Sequence, residues 1–126
     1  FLNPAKVVAA ENEYKADLTG VEILIDVGHG GVDGGAPGFS KDHNEAIQNL
    51  LLAKQIKAEL ESIGATVHLT RDDNYTSTND SKIRMLKELK PDYCLAIHHN
   101  SNVSSSANGF EACYSHSFSK KKRSIF

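Results

Sequence analysis

Cysteine is scarce: only Cys94 and Cys113 occur in 126 residues, and no CxxC pair is present. That argues against a disulfide framework, a zinc knuckle and a redox motif alike. Two small, half-buried thiols are the simplest expectation. No apolar run approaches the roughly 20 residues a membrane helix needs. Positive charge is not in excess either. Fourteen Lys and Arg stand against sixteen Asp and Glu, for a net charge of -2. With a pI near 6.3, this is not the basic composition of a protein built to grip nucleic acid. No internal repeat is found, and no secretory leader pattern opens the chain. It starts at Phe1 and not at Met, so a mature form or an excised domain is expected.

What is present is an ordinary globular composition, 40% hydrophobic and 24% charged, of a length that suits one core. Residues 1–20 lack a clear period and read as a linker or leading segment. Residues 21–126 read as the domain. Residues 21–27, VEILIDV, form an apolar, β-branched run that predicts a strand buried on both faces. A glycine-rich loop follows, to about Lys41. Ala46, Leu50, Ala53, Ile56, Leu60 and Ile63 then recur every three or four residues, one face of a helix. Asp42 and Glu45 have capping-box spacing, and Gly64 suits the helix end.

TVHLT at 66–70 predicts a second strand. Ile83, Leu86 and Leu89 predict a shorter helix stopped by Pro91. YCLAIH at 93–98 predicts a third strand, and 109–114 a fourth. Strands alternating with helices imply an α/β fold: a twisted, mostly parallel sheet with helices on both faces, a three-layer αβα arrangement. The terminal KKKR reads as a solvated tail.

In open α/β sheets, ligands bind beyond the carboxyl ends of the strands. His29 follows the first strand, Thr70 and Arg71 close the second, and His98 closes the third. Glu45 opens the first helix, on the same edge. Two imidazoles and a carboxylate expected to converge there point to a metal site. Catalytic zinc commonly takes three such ligands and leaves a position for water. Iron(II) also uses two His and one carboxylate, so the ligand count alone leaves the metal open. Gly28, Gly30 and Gly31 would let the loop turn His29 inward. His43, His68, His99 and His116 are read as non-ligands. Strand alternation sends His99 away from His98. A phosphate cradle is the less favoured reading of the glycine loop, which is neither GxGxxG nor followed by GKS or GKT.

IDVGHGGVDGGAPG (25–38), Glu45, HLTR (68–71), Arg84, AIHHN (96–100) and GFEACY (109–114) occur in this order. Together they resemble the zinc-dependent N-acetylmuramoyl-L-alanine amidases, the type-3 family of bacterial cell-wall hydrolases. The resemblance spans roughly residues 21–114. It implies one Zn²⁺ held by His29, Glu45 and His98. It places Arg71 and Asn100 at the substrate or behind the ligands. The implied reaction is hydrolysis of the amide joining N-acetylmuramic acid to L-alanine of the peptidoglycan stem peptide. The implied location is extracellular or in the bacterial cell wall.

Val27 and Gly34 stand where the family commonly has proline, and Ala96 where it has serine. The family's general acid/base is a glutamate on a late strand, and no such segment occurs in the 126 residues. Glu111 matches a different position and reads as a structural strand residue. The catalytic base is therefore unassigned. The domain reads as C-terminally incomplete, which predicts an exposed sheet edge and some tendency to homodimerise or swap segments. A hairpin of 93–98 and 109–114 would bring Cys94 opposite Cys113, so a disulfide is also expected to be geometrically feasible.

Two functions follow. One is a metal-dependent amidase acting on peptidoglycan or muropeptides. The other is a non-catalytic zinc- or muropeptide-binding module of the same fold. A metal-free nucleotide-binding domain would instead respond to phosphate ligands alone.

Overall fold

A computed structural model describes residues 16–104 and 106–113. Three strands form one sheet in the order β2-β1-β3. They are β1 (Glu22–Val27), β2 (Thr66–Leu69) and β3 (Tyr93–Ile97). Both pairings are parallel, with Leu24 opposite His68 on one side and Cys94 on the other. The helices are α1 (Glu45–Ser62), preceded by a 3-10 turn at Lys41–His43, and α2 (Asn79–Leu89).

Alternation along β1 assigns the layers. Ile23, Ile25 and Val27 join Ala53 of α1, Ala65, Val67 and Ile97 in one buried cluster, with Leu50, Ile56 and Leu60 of α1 packed around it. Ile25 and Val27 are fully buried; each such side chain contributes about 1.5–3 kcal/mol relative to exposure. The intervening Asp26 points to the opposite face, where Lys82 of α2 pairs with it at 2.8 Å. The helices therefore lie on the two faces of the sheet. The second layer is thin: α2 buries none of its residues.

The helix ends differ slightly from the expected ones. Asn44, not Asp42, caps α1, its side chain accepting the Ile47 N–H at 3.1 Å. Asp42 falls in the preceding 3-10 turn. This frees the Glu45 carboxylate for other partners. At the far end Gly64 adopts φ +101. Its N–H bonds the Glu61 carbonyl, and the Ala65 N–H bonds that of Leu60, a Schellman closure.

Two further expectations are corrected. Residues 109–113 form no strand. Among the described residues the polar stretch before them closes one backbone turn, the Ala107 N–H to the Ser104 carbonyl, and Val103 and Phe110 stand exposed. The expected disulfide is likewise not formed: Cys94 and Cys113 are both free and exposed. Of the leading segment, Leu18 packs against the core cluster, and its N–H bonds the Ile63 carbonyl at 2.8 Å. Residues 1–15, Tyr114, His116 and the KKKR stretch lie outside the described residues.

Candidate metal centre

The chain leaves β1 and turns at once. His29 itself takes the left-handed conformation, φ +60, a costly choice for a residue with a Cβ unless its surroundings hold it. Arg71 does much of the holding. Its side chain is fully buried. It donates to the carbonyls of His29 (2.7 Å), Gly28 (3.0 Å), Ala46 (2.7 Å), Asp73 (3.1 Å) and Val27 (3.3 Å). One guanidinium thus ties the end of β1 to the first turn of α1. The fork of donors that arginine carries suits such a cluster of carbonyls.

Close approach explains two of the glycines. A Cβ on Gly28 would lie 2.5 Å from the His98 ring. A Cβ on Gly35, which has φ +66, would lie 2.7 Å from the His29 ring and 2.8 Å from the Glu45 carboxylate. Both glycines leave space where the side chains of His29, Glu45 and His98 meet.

Three side chains converge in that space. Glu45 Oε1 stands 3.2 Å from His29 Nε2 and 3.0 Å from His98 Nδ1. The ligand atoms of His29, Glu45 and His98 all lie within 4.8 Å of one another. The two rings meet edge to face, centroids 5.0 Å apart. Glu45 is buried. Its Oε2 accepts the Ala36 N–H and its Oε1 the His99 N–H, each at 2.9 Å. Burial alone would push this carboxyl up. The two backbone donors, the His98 ring and the charge of His29 outweigh that and hold it below its ordinary value. The opposite nitrogen of His29, Nδ1, meets Asp33 Oδ2 at 2.9 Å. That bond, followed by the Gly35 N–H, lowers the Asp33 carboxyl as well.

A cleft of about 280 Å³ opens beside this cluster, lined by Asp26, His29, Asp33, Ser77, Lys82 and His98 among others. Its walls are polar, and Lys82 spans it to Asp26.

The sequence-predicted residues sort as follows. His29, Glu45 and His98 come together. Arg71 reaches the same edge but turns inward beneath the loop. Asn100 is exposed, and its amide donates to Glu111 Oε2 at 3.3 Å. His43 pairs with Ser40 and His68 with Glu22, both away from the cluster. His99 is outside the ligand cluster, but not for the expected reason. β3 ends at Ile97, so strand alternation no longer applies. Both rings lean on α1, His98 on Glu45 and His99 on Asn49 at 2.6 Å. The sequence pattern alone does not single out Asp33 and Asn49 as supporting groups. The signal for Asn49 was a polar residue beside the apolar stripe of α1; for Asp33 it was a carboxylate four residues after a loop histidine.

A family model described as N-acetylmuramoyl-L-alanine amidase matches residues 23–125. The chain belongs to this amidase family. A probable cell wall amidase of Staphylococcus aureus, LytH, is 38% identical over 112 residues, 87% of this chain and 36% of that protein. The chain thus spans about a third of the length of that curated relative. Among solved amidases, the catalytic domain of CwlV from Paenibacillus polymyxa superposes with a TM-score of 0.65 at 33% identity, covering 71% of this chain and 50% of that one. An N-acetylmuramoyl-L-alanine amidase from Clostridium difficile gives 0.65 at 25% identity, covering 71% and 49%. Neither the described structure nor these amidases support the homodimer or segment swap expected from the sequence.

Proposed function

We propose that this amidase-family chain belongs to a zinc-dependent enzyme of the cell wall or extracellular space. Its reaction is hydrolysis of the amide between N-acetylmuramic acid and L-alanine in peptidoglycan stem peptides. The observation that carries the reading is the convergence of His29, Glu45 and His98 on one point at the mouth of a polar cleft.

The donor set fits zinc. Two imidazole nitrogens and one carboxylate oxygen are typical ligands of a catalytic site with an open position. When bound, zinc supplies a Lewis acid for the amide carbonyl and lowers the pKa of water towards about 7. The chain's own residues prepare that chemistry. Glu45 is kept ionised by its backbone donors and so is ready to coordinate. Asp33 holds His29 by Nδ1, leaving Nε2 as the metal-facing nitrogen. Arg71 keeps the loop backbone in place, and Asn100, exposed just past His98, is a substrate contact.

The test is incubation of the full-length protein with purified muropeptides and mass spectrometry of the products. Release of peptides with a free L-alanine amine supports the amidase. Intact muropeptide in the presence of one bound zinc would point instead to a non-catalytic binding module.

A further inference from the structure

We infer that His99 is a substrate-binding residue beside the metal centre, held by Asn49 in the tautomer that leaves its Nε2 a bare hydrogen-bond acceptor. The tautomer is a property of the chain alone; the substrate contact rests on the function proposed above.

The deduction follows from what each atom is able to do. Asn49 is fully buried on α1, one turn beyond Glu45. One end of its amide lies 3.1 Å from the Gly28 carbonyl oxygen. A carbonyl only accepts, so the end facing it is the NH₂ group. The amide oxygen is therefore at the other end, 2.6 Å from His99 Nδ1. An amide oxygen also only accepts, so Nδ1 carries the hydrogen. A neutral imidazole has one N–H, and Nε2 is left with its lone pair. An unheld imidazole would sample both tautomers.

The ring is also anchored through its backbone, because the His99 N–H donates to Glu45 Oε1 at 2.9 Å. Its side chain is nevertheless exposed, and it takes no part in the His29, Glu45, His98 cluster. The result is a pre-oriented acceptor one residue from a metal ligand. Its partner is a donor on the substrate, an amide N–H or a hydroxyl, and a sugar–peptide conjugate offers both. Asn49 acts through His99 and is a positioning residue.

The first experiment is ¹⁵N NMR of the histidine-labelled 126-residue chain without metal. The expected result is the Nδ1–H tautomer for His99, lost in Asn49→Leu. An Nε2–H tautomer in the wild type overturns the inference, whether or not the variant folds. So does an unchanged tautomer in a folded Asn49→Leu chain. The second experiment measures a soluble muropeptide against the full-length protein. For His99→Phe, KM is expected to rise about 3- to 10-fold, the worth of one hydrogen bond, with one zinc still bound. His99→Gln, which keeps an acceptor oxygen, is expected to recover part of the loss. An unmoved KM for His99→Phe contradicts the substrate contact. If the wild type does not cleave, the proposed function fails, and the same comparison is read from the Kd of the muropeptide by calorimetry.

Discussion

Asp33 Oδ2 lies 2.9 Å from Nδ1 of His29. The two residues are four apart in one loop, and the contact turns the other nitrogen of the ring towards Glu45. A carboxylate behind a ligating histidine fixes the ring and raises its basicity.

Replacing Asp33 with Ala is therefore expected to weaken zinc binding by about 10- to 100-fold. Asp33 is an exposed loop residue, so the thermal midpoint of the metal-free chain should barely move. Competitive zinc titration with a chromogenic chelator measures the first effect and differential scanning calorimetry the second. Unchanged zinc affinity would show that the loop aims His29 without help.

Arg71 makes the opposite prediction. Its guanidinium donates to five backbone carbonyls, of which that of Gly28 also accepts from Asn49, and each buried acceptor left unsatisfied costs about 1–3 kcal/mol. Arg71→Lys offers a single ammonium to the same cluster. It should lose at least about 3 kcal/mol in urea unfolding, or fail to fold. A variant within 1 kcal/mol of the wild type would contradict the idea that Arg71 holds the loop to α1.

Acid should destabilise the metal-free chain through Glu45. Its carboxyl is held below its ordinary value of 4.5 in the fold. The unfolded chain therefore takes up the proton first as pH falls. The stabilisation is complete above the ordinary value and disappears as pH drops through the lowered one. Urea midpoints measured between neutral pH and about pH 3 should fall less steeply for Glu45→Gln than for the wild type. Equal slopes would mean that the carboxylate gains nothing from its backbone donors.

Much of this centre was legible in the sequence. The parallel strands and their order along the chain follow from VEILIDV, TVHLT and YCLAIH, and the carboxyl-edge rule then places His29, Glu45 and His98 together. The direction of Arg71 was not legible, because a strand-end position does not say whether a side chain faces solvent or folds back under a loop. Asn49 was hidden beside apolar Leu50, where the helical period masks a polar residue. His99 does not turn away from His98 as strand alternation predicts, because β3 stops at Ile97 and both rings reach α1. The hairpin expected at 109–114 failed for a different reason: GFEACY has strand-like composition, yet among the described residues nothing pairs with it.

The zinc content of the dialysed 126-residue chain tests the account most directly. Elemental analysis should find about one zinc per chain, and His29→Ala, Glu45→Ala and His98→Ala should each lose it while His43→Ala and His68→Ala retain it. A wild-type chain that binds no zinc, or one whose zinc survives all three ligand substitutions, would contradict the site.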